Sequence, residues 1–177
     1  SSVEKFKKLR FHTNENIGYG EVFLPPEELQ TRSLAILFPP AGGPGALLST
    51  MGEMERAAVL SALCGIIKSM APIELLCDRS DLGSTWRVRD DHFMVPAIYL
   101  WDRYPGGTGL AEALSVSLPQ CMEAAAERID ACDCTDGCPA CIGVADESFA
   151  SVRGRKAGAG RLMRSCIDAL RGMDSTP

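Results

Sequence analysis

Hydrophobic positions recur along this chain in three long stripes at helical spacing and in several short apolar runs. The clearest stripe is the last. Ala159, Leu162, Met163, Cys166, Ile167 and Leu170 follow i, i+3, i+4, i+7, i+8, i+11, which predicts a helix over about 155–171. Leu110, Ala113, Leu114, Leu118, Cys121, Ala125 and Ile129 predict a second over about 108–130, kinked or split at Pro119. Ala58, Ala62, Leu63, Ile66, Ile67 and Met70 predict a third over about 51–70, opened by a Thr50-x-x-Glu53 capping box and ended by Pro72.

The short runs read as strands. Residues 33–38 (SLAILF), 73–77 (IELLC) and 95–101 (VPAIYLW, with Pro96 near its start) fit buried strands. Residues 4–12 fit a strand or extended arm, and 21–24 fit a short strand stopped by Pro25 and Pro26. The stretch 14–20 (NENIGYG) is a turn-rich connector, and 79–92 is polar and loop-like. The Pro/Gly stretch 39–46 (PPAGGPGA) is the best boundary, dividing an N-terminal extended segment, 1–40, from a main domain, 47–177. The expected fold class is α/β, or mixed α+β: a small sheet covered by about three long helices.

Composition adds little until the cysteines. The 177 residues, 46% apolar and 23% charged, fit one globular domain with its own core. No apolar run reaches the roughly 18 residues of a membrane span, so no membrane partner is expected. The first residues, Ser1 to Phe6, carry no apolar signal stretch, which points to a cytoplasmic location, and the missing initiator Met points to a fragment or processed chain. The formal charge of −5 argues against a generic nucleic-acid binder. The basic residues are segregated, however: Lys5, Lys7, Lys8 and Arg10 at one end, and Arg153, Arg155, Lys156, Arg161, Arg164 and Arg171 at the other. A solvated surface is the plain reading. If the ends meet, an acidic chain still shows a basic face, with Arg153, Arg155 and Lys156 as candidate DNA contacts.

Four of the eight cysteines, Cys132, Cys134, Cys138 and Cys141, form C-x-C-x3-C-x2-C within ten residues. Four thiolates this close can surround one tetrahedral Zn²⁺ and close its shell, which makes a structural site rather than a catalytic one. Gly137 and Pro139 suit the tight turn that such a knuckle needs. An iron–sulfur cluster takes the same ligands, and a disulfide pair would need an oxidising compartment. Zinc is the favoured reading. The metal would fold a segment, 131–145, too short and polar to build its own core. With four thiolates and one Zn²⁺ counted, the formal charge falls from −5 to about −7. Cys64, Cys77, Cys121 and Cys166 read as buried free thiols.

Gly106, Gly107, Thr108 and Gly109 lie in a strand-to-helix turn whose amides could hold a DNA phosphate, or whose glycines could simply allow close packing. Asp78, Asp81 and Asp102 fall near expected strand ends, with His92 between; together they could bind magnesium or act as bases, or merely cap turns. No catalytic motif accompanies them, so no catalytic residue is assigned. Trp86, Trp101 and Tyr104 are the Trp and Tyr side chains near the turn that could stack on bases.

Two stretches carry a resemblance. Lys7 to Gly20 (KKLRFHTNENIGYG), with Leu24, Pro25 and Thr31, resembles a segment of DEAD/DEAH-box helicases of the mitomycin repair factor A type. Leu76 to Gly83, Ile98 to Ala111 (IYLWDRYPGGTGLA), and the four cysteines with Gly137, Pro139 and Ala140 resemble the C-terminal zinc-binding domain of the same family. The family belongs to superfamily 2, whose members of this type are ATP-dependent 3′-to-5′ DNA helicases linked to repair. The resemblance implies that Cys132, Cys134, Cys138 and Cys141 are zinc ligands. It implies an accessory module, not itself an enzyme, whose ATP-binding lobes lie elsewhere in a parent helicase. The implied partners are that upstream core and DNA, or a helicase to which the chain is a separate partner, as in phage defence, with no DNA binding of its own.

Overall fold

The computed structural model describes residues 5–10, 13, 16–21, 28–144, 147–149 and 151–174. Two compact units divide the chain, Ser1–Gln30 and Thr31–Pro177. The division precedes the boundary expected at 39–46, because β3 (Ser33–Leu37) pairs with strands of the larger unit.

In the first unit β1 (Lys5–Leu9) and β2 (Asn16–Glu21) pair antiparallel, with the register shifting between Lys8 and Leu9. The expected connector at 14–20 is therefore a strand from Asn16 onward, and the Asn16 side chain accepts the Gly18 amide at 3.0 Å. Of the strand expected at 21–24, residues 22–24 lie outside the described residues.

In the second unit the sheet order is β3-β5-β4, antiparallel throughout, with β5 (Ala97–Asp102) in the centre and β4 (Leu82–Arg87) at an edge. The strand β4 falls inside the stretch expected to be a loop. Its polarity is deceptive: Gly83 faces Trp101 in the register, and a Cβ at Gly83 would lie 2.2 Å from Trp101 Cε2. The indole of the neighbouring strand fills the space that a side chain of β4 would otherwise occupy.

The helices are α1 (Gly43–Ser49), α2 (Glu53–Leu75), α3 (Leu110–Asp130), α4 (Pro139–Ile142) and α5 (Arg155–Asp174). The linker stretch 39–46 thus runs into α1. The expected capping box at Thr50 does not form; Gly52 is the N-cap of α2, and Thr50 closes α1, its hydroxyl donating to Leu47 O at 2.8 Å. Helix α2 packs against β4, α3 and α5, so burial is not confined to one stripe: Ala57, Val59, Leu60, Cys64 and Ala71 are buried beside the predicted positions. This helix is long and apolar enough to cross a membrane by length and composition, but 56% of the qualifying window is buried within the unit. The expected strand at 73–77 is instead the last turn of α2 and its cap. Pro72 lies inside the helix, and Leu76 takes the left-handed conformation (φ 53°, ψ 43°) that stops it. The Cys77 amide then returns to Pro72 O at 3.1 Å. Helix α3 continues through Pro119 as one element. Cys64, Cys121 and Cys166 are buried thiols and Cys77 is half-buried; burial pushes Cys121 up to about 11 and Cys166 up to about 12, so neither is a ready nucleophile.

Candidate metal centre

Helix α3 delivers the first two cysteines and α4 the last two. Past Ala131, the C-cap of α3, the Cys132 amide still reaches Ile129 O at 3.4 Å, so Cys132 leaves the helix in a fixed direction. Cys138 is the N-cap of α4 with extended backbone (φ −129°, ψ 168°), and Pro139 occupies its first turn. The Cys138 amide donates to Cys141 Sγ at 3.3 Å, so a thiolate stands where a capping-box carboxylate would. Gly137 enters the turn at φ +106°, and a Cβ there would lie 2.0 Å from Ile142 Cδ1. Only glycine meets both conditions without displacement.

The four sulfurs all lie within 4.8 Å of one another. Cys132–Cys134 is 3.5 Å, Cys132–Cys138 3.7 Å, Cys134–Cys141 3.4 Å and Cys138–Cys141 3.8 Å. A tetrahedral ion with metal–sulfur bonds of about 2.3 Å sets sulfur–sulfur edges near 3.8 Å. A disulfide needs about 2.05 Å, so these four are free thiols gathered for an ion. The backbone N–H of Ala140 lowers the Cys138 thiol to about 7, while burial pushes Cys141 up to about 12. Coordination resolves that conflict, because a divalent ion deprotonates its thiol ligands. Among the described residues this is the one cluster of three or more metal-ligating side chains.

The surroundings hold the knuckle in place. Arg128 Nε donates to Ala140 O at 3.0 Å from the end of α3. Asp136 accepts Arg153 Nη1 at 2.8 Å and the Gly154 amide at 2.7 Å, and these donors keep its carboxyl below the ordinary carboxylate range. Lys156 Nζ donates to the carbonyls of Cys132 and Cys134. Against α2, a Cβ at Gly65 would lie 2.8 Å from Ile142 O, so a backbone-to-backbone approach seats the knuckle on the core.

The other candidates resolve differently. The amides of Thr108, Gly109 and Leu110 donate to Asp102 Oδ2 at 2.5, 2.8 and 3.2 Å, and the Ala111 amide donates to Asp102 Oδ1 at 2.7 Å. The anion at the start of α3 is therefore the chain's own carboxylate, and these amides are not free for a DNA phosphate. Asp102 is fully buried (0% exposed). Burial alone would raise its pKa, but the Thr108, Ala111 and Leu110 amides and the Thr108 hydroxyl outweigh burial and leave it lowered. Gly107 belongs to the same device: its φ is +78°, and a Cβ would come within 3.3 Å of Asp102 Oδ2. Gly106, at φ +81°, has open space around it.

Asp78 accepts the Ser80 amide at 2.7 Å, and Asp81 accepts the Asp78 amide at 3.1 Å and the Tyr104 hydroxyl at 3.0 Å. Both cap the turn between α2 and β4, and with Asp102 committed to α3 the three carboxylates do not assemble a magnesium site. His92 lies in a turn organised by Asp90, which accepts the His92 and Phe93 amides and the Tyr99 hydroxyl. Asp90 belongs to the polar stretch 79–92, and nothing in its spacing marks it as the residue that organises this turn. Of the aromatic candidates, Trp86 packs on Phe149 (5.7 Å between ring centroids) and Trp101 covers Gly83. Among the basic candidates Arg153 and Lys156 serve the knuckle, and Arg155 Nε is the buried side-chain polar atom without a hydrogen-bond partner among the described residues.

A three-stranded antiparallel sheet, covered by long helices and closed by a four-thiol knuckle, defines a zinc-binding module with one structural zinc. The sequence profile of the MrfA Zn-binding domain matches residues 63–142. The chain is 40% identical over 80 residues to the protein MJ1572.1 of Methanocaldococcus jannaschii, covering 44% of this chain and 70% of that protein. It is 36% identical over 144 residues to the ATP-dependent helicase YprA of Bacillus subtilis (strain 168), covering 81% of this chain and 18% of the helicase. The crystal structure of the DUF1998 helicase MrfA bound to DNA matches with a TM-score of 0.72 at 32% identity, over 92% of this chain and 20% of that one. The same helicase with DNA and AMPPNP matches with a TM-score of 0.63 at 31% identity, over 91% and 19%. The chain belongs to the MrfA zinc-binding domain family. It spans about a fifth of the length of the helicase relatives.

Proposed function

We propose that this chain is the zinc-stabilised accessory module of a superfamily 2, ATP-dependent DNA helicase that acts in DNA repair in the cytoplasm. The zinc rigidifies the larger unit, and that unit docks on the helicase core, with the N-terminal segment 1–30 leading to it. The observation that carries this reading is the match over 92% of the chain to a region of MrfA, a helicase crystallised with DNA. Contact with the exiting single strand falls to Arg155, since the glycine turn is occupied by Asp102 and Arg153 is paired with Asp136.

A second reading has its own support. The 80 residues that match MJ1572.1 are 70% of that protein, which leaves no room there for two ATPase lobes. The module can thus stand in a short chain, as a helicase partner without DNA binding of its own. The formal charge of −5 and the internal use of Lys156 and Arg153 favour this for the isolated chain.

Two assays separate the readings: pull-down of the helicase core, and fluorescence anisotropy with single-stranded DNA at about 50 and about 200 mM salt. The accessory-module reading expects core binding, and a salt-sensitive DNA affinity in the parent that falls on Arg155→Glu. Core binding with no DNA contribution supports the partner reading, and failure to bind the core sinks both.

A further inference from the structure

The start of α5 runs against a general electrostatic preference. Helix N-termini carry partial positive charge and favour acidic residues. Yet α5 opens with Arg155 and Lys156, and no acidic residue lies in its first turn. Lys156 does not escape to solvent. Half-buried, its Nζ donates to both Cys132 O and Cys134 O, the second at 2.9 Å, and its amide donates to Asp136 O at 3.3 Å. A single residue thus holds three points of the loop between Cys132 and Cys138, and two of them are the backbone carbonyls of metal ligands. Four thiolates around one Zn²⁺ leave about two negative charges on the centre, and these offset a cation at the positive end of a helix.

We propose that Lys156 is a positioning residue of the metal centre: its ammonium bridges the Cys132 and Cys134 carbonyls, fixes the C-x-C limb for coordination and balances the thiolate charge. The alternative is a lysine stem that only packs against Gly137, whose Cβ position lies 3.6 Å from Lys156 Cβ. The two roles separate by chemistry. Lys156→Met keeps the stem and removes the donors and the charge; Lys156→Gln keeps donors without charge; Lys156→Arg keeps both.

The test is zinc affinity of the full chain, by competition with a chromophoric chelator, together with the thiolate-to-metal absorption of the Co²⁺-loaded protein. Outer-shell partners of metal ligands typically contribute 10–100-fold in affinity, so Lys156→Met is expected to weaken zinc by about tenfold or more and to shift the Co²⁺ bands, with Lys156→Arg closest to wild type. A stem that only packs predicts Lys156→Met at wild-type affinity with unshifted bands, and that result overturns the proposal. If Lys156→Met does not fold, the Gln and Arg variants decide: weaker zinc in Gln than in Arg upholds the role, and equal affinity overturns it. A wild-type chain that binds neither Zn²⁺ nor Co²⁺ would instead refute the metal centre itself.

Discussion

The carboxylate of Asp102, at the end of the central strand, accepts the amide of Ala111, in the first turn of α3, at 2.7 Å. Its other oxygen takes the amides of Thr108, Gly109 and Leu110. One buried side chain therefore satisfies donors that a helix start leaves unpaired. Strand, glycine turn and helix form one unit, and the turn's phosphate-like geometry is explained from within. Replacement of Asp102 by Ala leaves those amides buried without an acceptor, at an expected cost of about 3 kcal/mol or more. Urea unfolding of the zinc-loaded chain measures it.

The same carboxylate sets a pH dependence. Its folded pKa lies below the ordinary value of about 3.9. The stability it contributes is thus complete above the unfolded pKa and is lost only as pH falls through the folded one. The deficit of Asp102→Asn against wild type is expected to stay constant between about pH 5.5 and 8, because both pKa values lie below that window. A deficit that shrinks toward pH 5.5 would mean a raised pKa and a different environment.

Gly137→Ala combines a positive φ with a collision at Ile142 Cδ1, whereas Gly106→Ala meets the positive φ alone. The first is expected to cost about 2–4 kcal/mol and weaken zinc, the second about 1–2 kcal/mol with zinc affinity unchanged. Thermal melts and chelator competition on both variants test the difference.

Leu76 is 93% exposed and left-handed at the end of α2. Leu76→Gly removes the Cβ strain and little buried surface, so it is expected to stabilise the isolated chain by about 1 kcal/mol. A loss of stability in urea unfolding would show that the leucine side chain makes a contribution its exposure conceals.

The parts of this architecture legible in the sequence are those encoded over short spans. The four cysteines fall within ten residues, so their convergence hardly depends on the rest of the fold. The stripe from Ala159 to Leu170 marked α5 by period alone. What escaped depends on partners distant in sequence. The polar strand β4 is a strand because Trp101 covers Gly83 from β5. Residues 73–75 are helical because the buried α2 carries its hydrogen bonding past Pro72, and Leu76 is its left-handed cap. Asp102 and the glycine turn each suggest function when considered alone; Thr108 lies six positions after Asp102, and no spacing reveals that the carboxylate turns back onto the amides.

One zinc, held by Cys132, Cys134, Cys138 and Cys141, is part of the fold of this chain. Native mass spectrometry of the wild-type chain and Cys138→Ser, each followed by circular dichroism with and without a strong chelator, tests it most directly. One zinc per wild-type chain is predicted, lost in Cys138→Ser, with helical signal falling on chelation. A wild-type chain that stays folded and metal-free would contradict the account.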